Sequence, residues 1–216
     1  MLPSGFYCMD CMEGMKQFPD KFFDLAIVDP PYGINITGRK KDGGCQIGNS
    51  GKVYHAFDDT GIPDRKYFDE LFRVSKNQII WGGNYFTEHL PPSSCWISWD
   101  KDRAQGMDFA DGELAWTSFQ KPMRIYRRRW GGNDLDPKRK EERIHPTQKP
   151  VSLYAWLLIR YAEPSDKILD THVGSASSLI ACHQAGFEYW GFEIDPVFYE
   201  EASARLEADK NQIRLI

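Results

Sequence analysis

A chain of 216 residues and 25.0 kDa is long enough to bury one self-supporting core, with room for a small insertion. Hydrophobic residues make up 41% and charged residues 27%, the balance of a globular domain, which excludes a fibrous or wholly disordered chain. The net charge of −4 excludes a uniformly basic nucleic-acid binder, so any phosphate-facing surface has to be local.

No run of 18 apolar residues occurs, so no membrane span is expected. Five cysteines (Cys8, Cys11, Cys45, Cys95 and Cys182) and no signal peptide point to free thiols in a reducing, cytoplasmic setting. Cys8 and Cys11 form a lone C-x-x-C. A zinc site would need a second pair or well-spaced histidines, so no metal is expected.

Taken in order, Phe6 to Met9 reads as a short strand with Asp10 at its end, followed by a short helix or turn over 12–19. Asp24 to Val28 is an apolar run closed by Asp29-Pro30-Pro31-Tyr32. Two prolines cannot continue a paired strand, so an acid, two fixed-φ residues and an aromatic ring sit at a strand's carboxyl end. In open α/β sheets that is where ligands bind. Residues 37–54 carry five glycines with Arg39, Lys40, Lys41 and Lys52 and no apolar period, the texture of a long flexible basic loop.

Tyr67, Phe68, Leu71 and Phe72 give a helical period over 64–74, and Gln78 to Trp81 a buried strand stopped by two glycines. Asn84-Tyr85-Phe86 then shares an edge with Tyr32. Strands over 95–99, 113–119 and around 125–126 follow without an intervening helix, which predicts antiparallel pairing at one edge of the sheet. Lys121 to Arg143 holds nine basic side chains against four acids, with Trp130 and glycines between. Arg127, Arg128 and Arg129 lie within it, and it reads as a phosphate-facing segment over 120–145.

After His145-Pro146-Thr147-Gln148-Lys149-Pro150 come a helix over 151–161, a strand over 167–170 and a small-residue loop from Thr171 to Ser177. A helix to Ala185 stopped by Gly186, a strand over 189–195 and a final helix opened by Pro196 complete the chain. Residues 167–195 thus form one β-α-β unit. Gly174, Ser175, Ala176 and Ser177 let backbone approach a ligand, and Glu193 lies nineteen positions after Gly174, where an acid accepts hydrogen bonds from a ribose. A dinucleotide fingerprint would want three glycines; one favours an adenosine ligand without phosphates.

Five segments in this order resemble the DNA amino-methyltransferases of the permuted β group, in which the catalytic motif precedes the cofactor motif. They are Asp10-Cys11, Asp29 to Tyr32, His145 to Pro150, Asp170 to Ser177 and Phe192 to Asp195. Trp81 to Phe86 is similar to small phage-associated members. The chain departs from the usual cofactor loop at Thr171, His172, Ala176 and Ser177, which replace a proline, an aromatic, a glycine and a threonine.

The resemblance implies a single Rossmann-like α/β methyltransferase domain over 1–216, with a mixed seven-stranded sheet, an antiparallel edge and circularly permuted motif order. It implies S-adenosylmethionine as methyl donor and double-stranded DNA as partner, with N6 of adenine as acceptor, in the manner of restriction–modification. Asp29, Pro30, Pro31 and Tyr32 would be catalytic. Asp10, Cys11, Asp29, Thr147, Lys149, Asp170, His172, Val173, Gly174, Ser175, Ser177 and Glu193 would hold the cofactor. Arg39, Lys40, Lys41, Arg127, Arg128 and Arg129 would meet DNA. A short recognition region is in keeping with a homodimer or with relaxed specificity. Three alternatives stand beside this reading: an N4-cytosine enzyme, an NAD-dependent oxidoreductase, and a degenerate nucleic-acid-binding subunit.

Overall fold

The computed structural model describes residues 1–35, 40–41, 44–45, 54–55, 59–103, 110–131, 134–135 and 141–212. The central element is an eight-stranded sheet. Its strands in chain order are β1 (Gly5–Cys8), β2 (Phe23–Val28), β3 (Ser75–Trp81), β4 (Ile97–Asp100), β5 (Gly112–Thr117), β6 (Arg124–Arg127), β7 (Lys167–Asp170) and β8 (Glu188–Glu193). Their spatial order is β1-β8-β7-β2-β3-β5-β4-β6. The five strands from β1 to β3 run parallel.

β5 is antiparallel to both β3 and β4, while β6 pairs parallel with β4. The sheet is mixed, as expected, but has eight strands rather than seven, and β5 alone is reversed. The expected all-antiparallel edge fails at β6. The chain leaving β5 crosses the end of β4 and lies on its far side. Doubling back from β5 therefore aligns β6 with β4.

Helices cover both faces. α1 (Cys11–Met15) and α2 (Arg65–Val74) lie on one; α3 (Val151–Tyr161), α4 (Ser177–Ala185) and α5 (Pro196–Lys210) on the other. Alternation along the strands serves the two layers: Leu25, Ile27, Ile79 and Trp81 join the α3–α5 core, and Ala26, Val28 and Ile80 the α1–α2 core. α2 begins where Asp64 accepts a hydrogen bond from the Tyr67 N–H at 3.2 Å, and buries Tyr67, Phe68, Leu71 and Val74. α3 buries Leu153, Tyr154, Leu157, Leu158 and Tyr161, while Trp156 is half-buried and Arg160 exposed.

In the region read as a structureless basic loop, residues 40–41, 44–45 and 54–55 pair as a small antiparallel sheet. Arg39 and the rest of that loop lie outside the described residues, as do the side chains of Lys40 and Lys41. Among the described residues no helix is long and apolar enough to cross a membrane.

The topology fixes where a ligand can sit. From β7 the chain passes through α4 to β8 on one side. From β2 it passes through α2, on the opposite face, to β3 on the other side. The carboxyl ends of β7 and β2 are therefore a topological switch point, with a crevice between them.

Candidate active site

Asp29 follows the last residue of β2 at that crevice. Pro30 is buried, and both prolines line a cavity of ≈ 940 Å³. The Tyr32 hydroxyl donates to Asp29 Oδ1 at 2.5 Å. The buried Asp59 accepts the Tyr32 and Gly33 N–H groups at 3.0 and 3.2 Å, tying down the chain beyond the prolines. The Tyr32 ring packs on Gly82, where a Cβ would fall 2.2 Å from Cε1; the glycine also holds φ +70°. Tyr85 stacks on Tyr32 with centroids 5.1 Å apart and planes at 16°.

The other Asp29 oxygen accepts from Lys149 Nζ at 2.5 Å. Lys149 is 3% exposed and also meets Glu113 Oε2 at 2.9 Å and the Tyr32 hydroxyl at 3.2 Å. Lys101 Nζ closes the cluster on Glu113 Oε1 at 2.6 Å and lies 5.1 Å from the centre of the Trp99 ring. Glu113 is the second residue of β5, and Lys101 follows β4. Because β5 is reversed, its start lies on the edge where β2 ends.

Burial acts to raise the Glu113 carboxyl, but Lys149 and Lys101 outweigh it and hold it at about 2. Burial disfavours the Lys149 ammonium, but Asp29 and Glu113 outweigh it and the net direction is upward. Burial pushes Asp29 above an ordinary carboxyl against the pull of Lys149.

The opposite wall comes from the 167–195 unit. Gly174 and Ala176 adopt positive φ, and the turn aims the Gly174 N–H at Glu193 Oε2, 2.9 Å away. Glu193 ends β8, and its Oε1 accepts the Asp195 N–H at 3.0 Å. Asp170 sits beneath the turn, accepting the His172 N–H at 3.0 Å and the Ser178 hydroxyl. Burial lifts its carboxyl to about 7. Tyr67, Thr171 and His172 form a hydrogen-bonded row, at 2.7 and 2.9 Å. Burial depresses His172 to about 4, so the imidazole is neutral at pH 7. A neutral imidazole thus stands where the cofactor loop of the enzymes that the chain resembles usually has a phenyl ring.

Arg205 of α5 braces the turn from behind, donating to the Ser175 carbonyl at 2.6 Å and to Ser177 Oγ at 2.9 Å. Its other nitrogen reaches Glu141 at 3.2 Å, and Glu141 in turn meets Arg128 at 3.3 Å.

The cavity brings together Asp29 to Tyr32, Thr147, Lys149, His172 to Ser175 and Glu193. Ser177 and Asp170 support the turn from below. Asp10 and Cys11 stand off the cavity wall, with Asp10 capping α1 through the Met12 and Glu13 N–H groups. Lys149, expected among the residues that hold the cofactor, lines the cavity and is engaged with Asp29, Glu113 and Tyr32. Thr147 Oγ1 lies 3.1 Å from Nδ1 of the buried His145.

Arg127 is exposed and paired with Asp100 at 2.7 Å, and Arg129 is exposed; Arg128 is buried against Glu141 and Ser152. Glu113, Lys101, Asp59 and Arg205 were not singled out from sequence. A charged residue at the start of the apolar strand Glu113 to Phe119 was the one available signal for Glu113.

Comparison with known proteins agrees with this architecture. The family model described as DNA methylase matches residues 110–204. The chain is 26% identical over 220 residues to a protein of Escherichia coli (strain K12) that carries the methylase name YubD, covering 95% of this chain and 91% of that one. Among solved structures it is similar to M1.HpyAVI in complex with S-adenosylmethionine, with TM-score 0.58, 17% identity and coverage of 93% and 98%. It is also similar to the PvuII cytosine-N4-specific DNA methyltransferase, with TM-score 0.62, 12% identity and coverage of 98% and 91%. The fold is that of the S-adenosylmethionine-dependent methyltransferases. The resemblance to the DNA amino-methyltransferases, first drawn from the five motifs, is upheld.

Proposed function

We propose that the protein transfers a methyl group to an exocyclic amine of a base flipped out of DNA, with N6 of adenine as acceptor. One observation carries the reading: Asp29 and the Gly174–Glu193 wall face each other across a single cavity at the switch point. The residues fit an adenosylated sulfonium. The cavity's volume of ≈ 940 Å³ lies at the upper end of the about 300–1,000 Å³ usual for ligand pockets. Glu193 offers a carboxylate where a ribose would lie, the turn 172–175 offers backbone and small side chains, and His172 offers a neutral ring. S-adenosylmethionine, when bound, would supply an electrophilic methyl group, its S–CH3 bond breaking to leave a neutral thioether.

The chain supplies the rest. The amine's lone pair is delocalised into the base, so it is a poor nucleophile until its hydrogens are held out of plane. Asp29 accepts one N–H through a remaining lone pair, and the Pro30 carbonyl accepts the second. The prolines fix that carbonyl at little entropic cost. Burial has raised the proton affinity of Asp29, so its carboxylate can hold the proton shed as the new N–C bond forms. Tyr32 gives the base a stacking surface worth about 1–3 kcal/mol, against a flipping cost of a few kcal/mol. Arg127 and Arg129, being exposed, suit phosphate contacts; Arg128 serves the interior.

N4 of cytosine is the second reading, supported by the likeness to the PvuII enzyme. Aspartate rather than serine at position 29 favours adenine within the resemblance. The test is methylation-aware sequencing of DNA from cells expressing the protein, beside Asp29→Ala. The expected result is N6-methyladenine in one short motif, lost on Asp29→Ala while calorimetry still shows S-adenosylmethionine binding. Near-normal methylation by Asp29→Ala would refute the reading.

A further inference from the structure

Glu113 has no place in the motifs that the resemblance rests on, yet it is the hub of the buried charge cluster. Its Oε2 meets Lys149 at 2.9 Å and its Oε1 meets Lys101 at 2.6 Å; the Tyr32 hydroxyl lies 3.4 Å from Oε2. All four ionic side chains are mostly covered, at 18% exposure for Asp29, 22% for Glu113, 3% for Lys149 and 13% for Lys101. At such depth charges are weakly screened. Without Glu113, Lys149 would keep Asp29 as its carboxylate, and the Lys101 charge beside them would have lost the carboxylate it pairs with. Arg103 and Arg143 add positive charge along the same wall.

We propose that Glu113 is a positioning residue for Asp29: it anchors Lys149, divides the ammonium charge between two carboxylates, and so leaves Asp29 a usable acceptor for the substrate amine. This rests on the methyl-transfer reading above.

The geometry explains why one carboxylate is not enough. Lys149 donates to Asp29 at 2.5 Å. If Glu113 did not take a second of its N–H groups, that ammonium would bind Asp29 undivided and draw its lone pairs from the amine. Lys101 matters in the opposite sense, because it withdraws Glu113 from Lys149. The other ionisable groups around Asp29 are Tyr32, Tyr154 of α3, Tyr67 of α2 and Asp170 of β7. Burial is the main influence on Asp29. Glu113 raises its proton affinity further and Lys149 lowers it. Removing the Glu113 charge therefore lowers the pH at which Asp29 ionises; removing Lys101 raises it.

The test uses the intact chain and a duplex bearing the motif that the wild type methylates. Methyl transfer from labelled S-adenosylmethionine is followed across pH for Glu113→Gln, Lys101→Met and the double variant. Glu113→Gln should lower kcat on the order of 100-fold. KM for S-adenosylmethionine should move less than about threefold, and the acid limb of the kcat profile should shift to lower pH. The double variant should recover at least about tenfold of the loss, since the surplus cation leaves with the anion.

An unchanged kcat in Glu113→Gln, an unmoved acid limb, or a double variant no better than the single one would each overturn the inference. Should Glu113→Gln fail to fold, Lys101→Met decides alone: its acid limb moves up, and an unmoved limb refutes the proposal. Absence of transfer by the wild type would instead refute the methyl-transfer reading itself.

Discussion

At Asp29 both carboxylate oxygens are engaged before any substrate arrives, so its effect on an incoming amine depends on how its partners share it. Tyr32 holds one oxygen and Lys149 the other. The Tyr32 ring is therefore fixed at its hydroxyl and packed on Gly82, while one face meets Tyr85. Tyr85 is 44% exposed and stands on a short 3₁₀ turn, at the place where a base seated beside Tyr32 would meet a second ring. Tyr85→Ala should raise KM for DNA about tenfold, within the 1–3 kcal/mol that one stacking partner contributes. S-adenosylmethionine affinity should stay unchanged by calorimetry. An unaltered KM for DNA would show that Tyr85 takes no part in holding the base.

At the scale of elements, the site depends on two strand ends and a turn, and the turn depends on α5. Arg205 ties the Ser175 carbonyl and Ser177 to the helix, and Glu141 links that arginine to Arg128. Hydrogen bonds from charged groups contribute about 1.5–3 kcal/mol each, and part of that holds the turn in its ligand-ready form. Arg205→Met should weaken S-adenosylmethionine binding about tenfold by calorimetry while Asp29-side geometry is kept. Equal affinity would separate α5 from the site.

These elements differ in how plainly the sequence announces them. The β-α-β unit and the Asp29 strand end are local patterns of apolar runs, glycines and prolines, and they fold where the patterns lie. Gly186 ends α4 with φ +77°, as its position suggested. The partners Glu113, Lys101, Asp59 and Arg205 come from distant segments, and topology brings them to the site. The parallel pairing of β6 with β4 was hidden for the same reason. Strand spacing reveals that a strand exists, whereas the side on which it docks follows from the path over β4.

Across the whole molecule, acidity is unevenly stored. Asp170 lies in the interior where β7 meets the cofactor-type turn, and burial keeps its carboxyl at about 7 against about 3.9 for a free aspartate. Folding thus favours its protonated form. That contribution to stability is full below about pH 4 and is lost as pH rises through about 7. Asp170→Asn is neutral throughout, so its melting temperature should gain on that of the wild type between about pH 4 and about pH 7 and hold steady above. Parallel melting curves at several pH values would measure it, and a constant difference would mean that the carboxylate is fully paid for by its hydrogen bonds. His172 and His145, depressed to about 4 and about 3 by burial, act in the opposite direction. They favour the fold above about 6.5 and withdraw that support as the pH falls through their folded values. Comparison with a single variant isolates Asp170 from both.

The reversal of β5 has a consequence for how such a domain can diversify. Lys101 and Glu113 stand at the two feet of the β4–β5 hairpin, where Trp99 pairs with Glu113 and Asp100 with Gly112. Strand pairing, and not the path of the segment that joins the two strands, sets the spacing of Lys101 and Glu113. A variant with a different joining segment and the same two strands should therefore inherit the charge cluster under Asp29 intact.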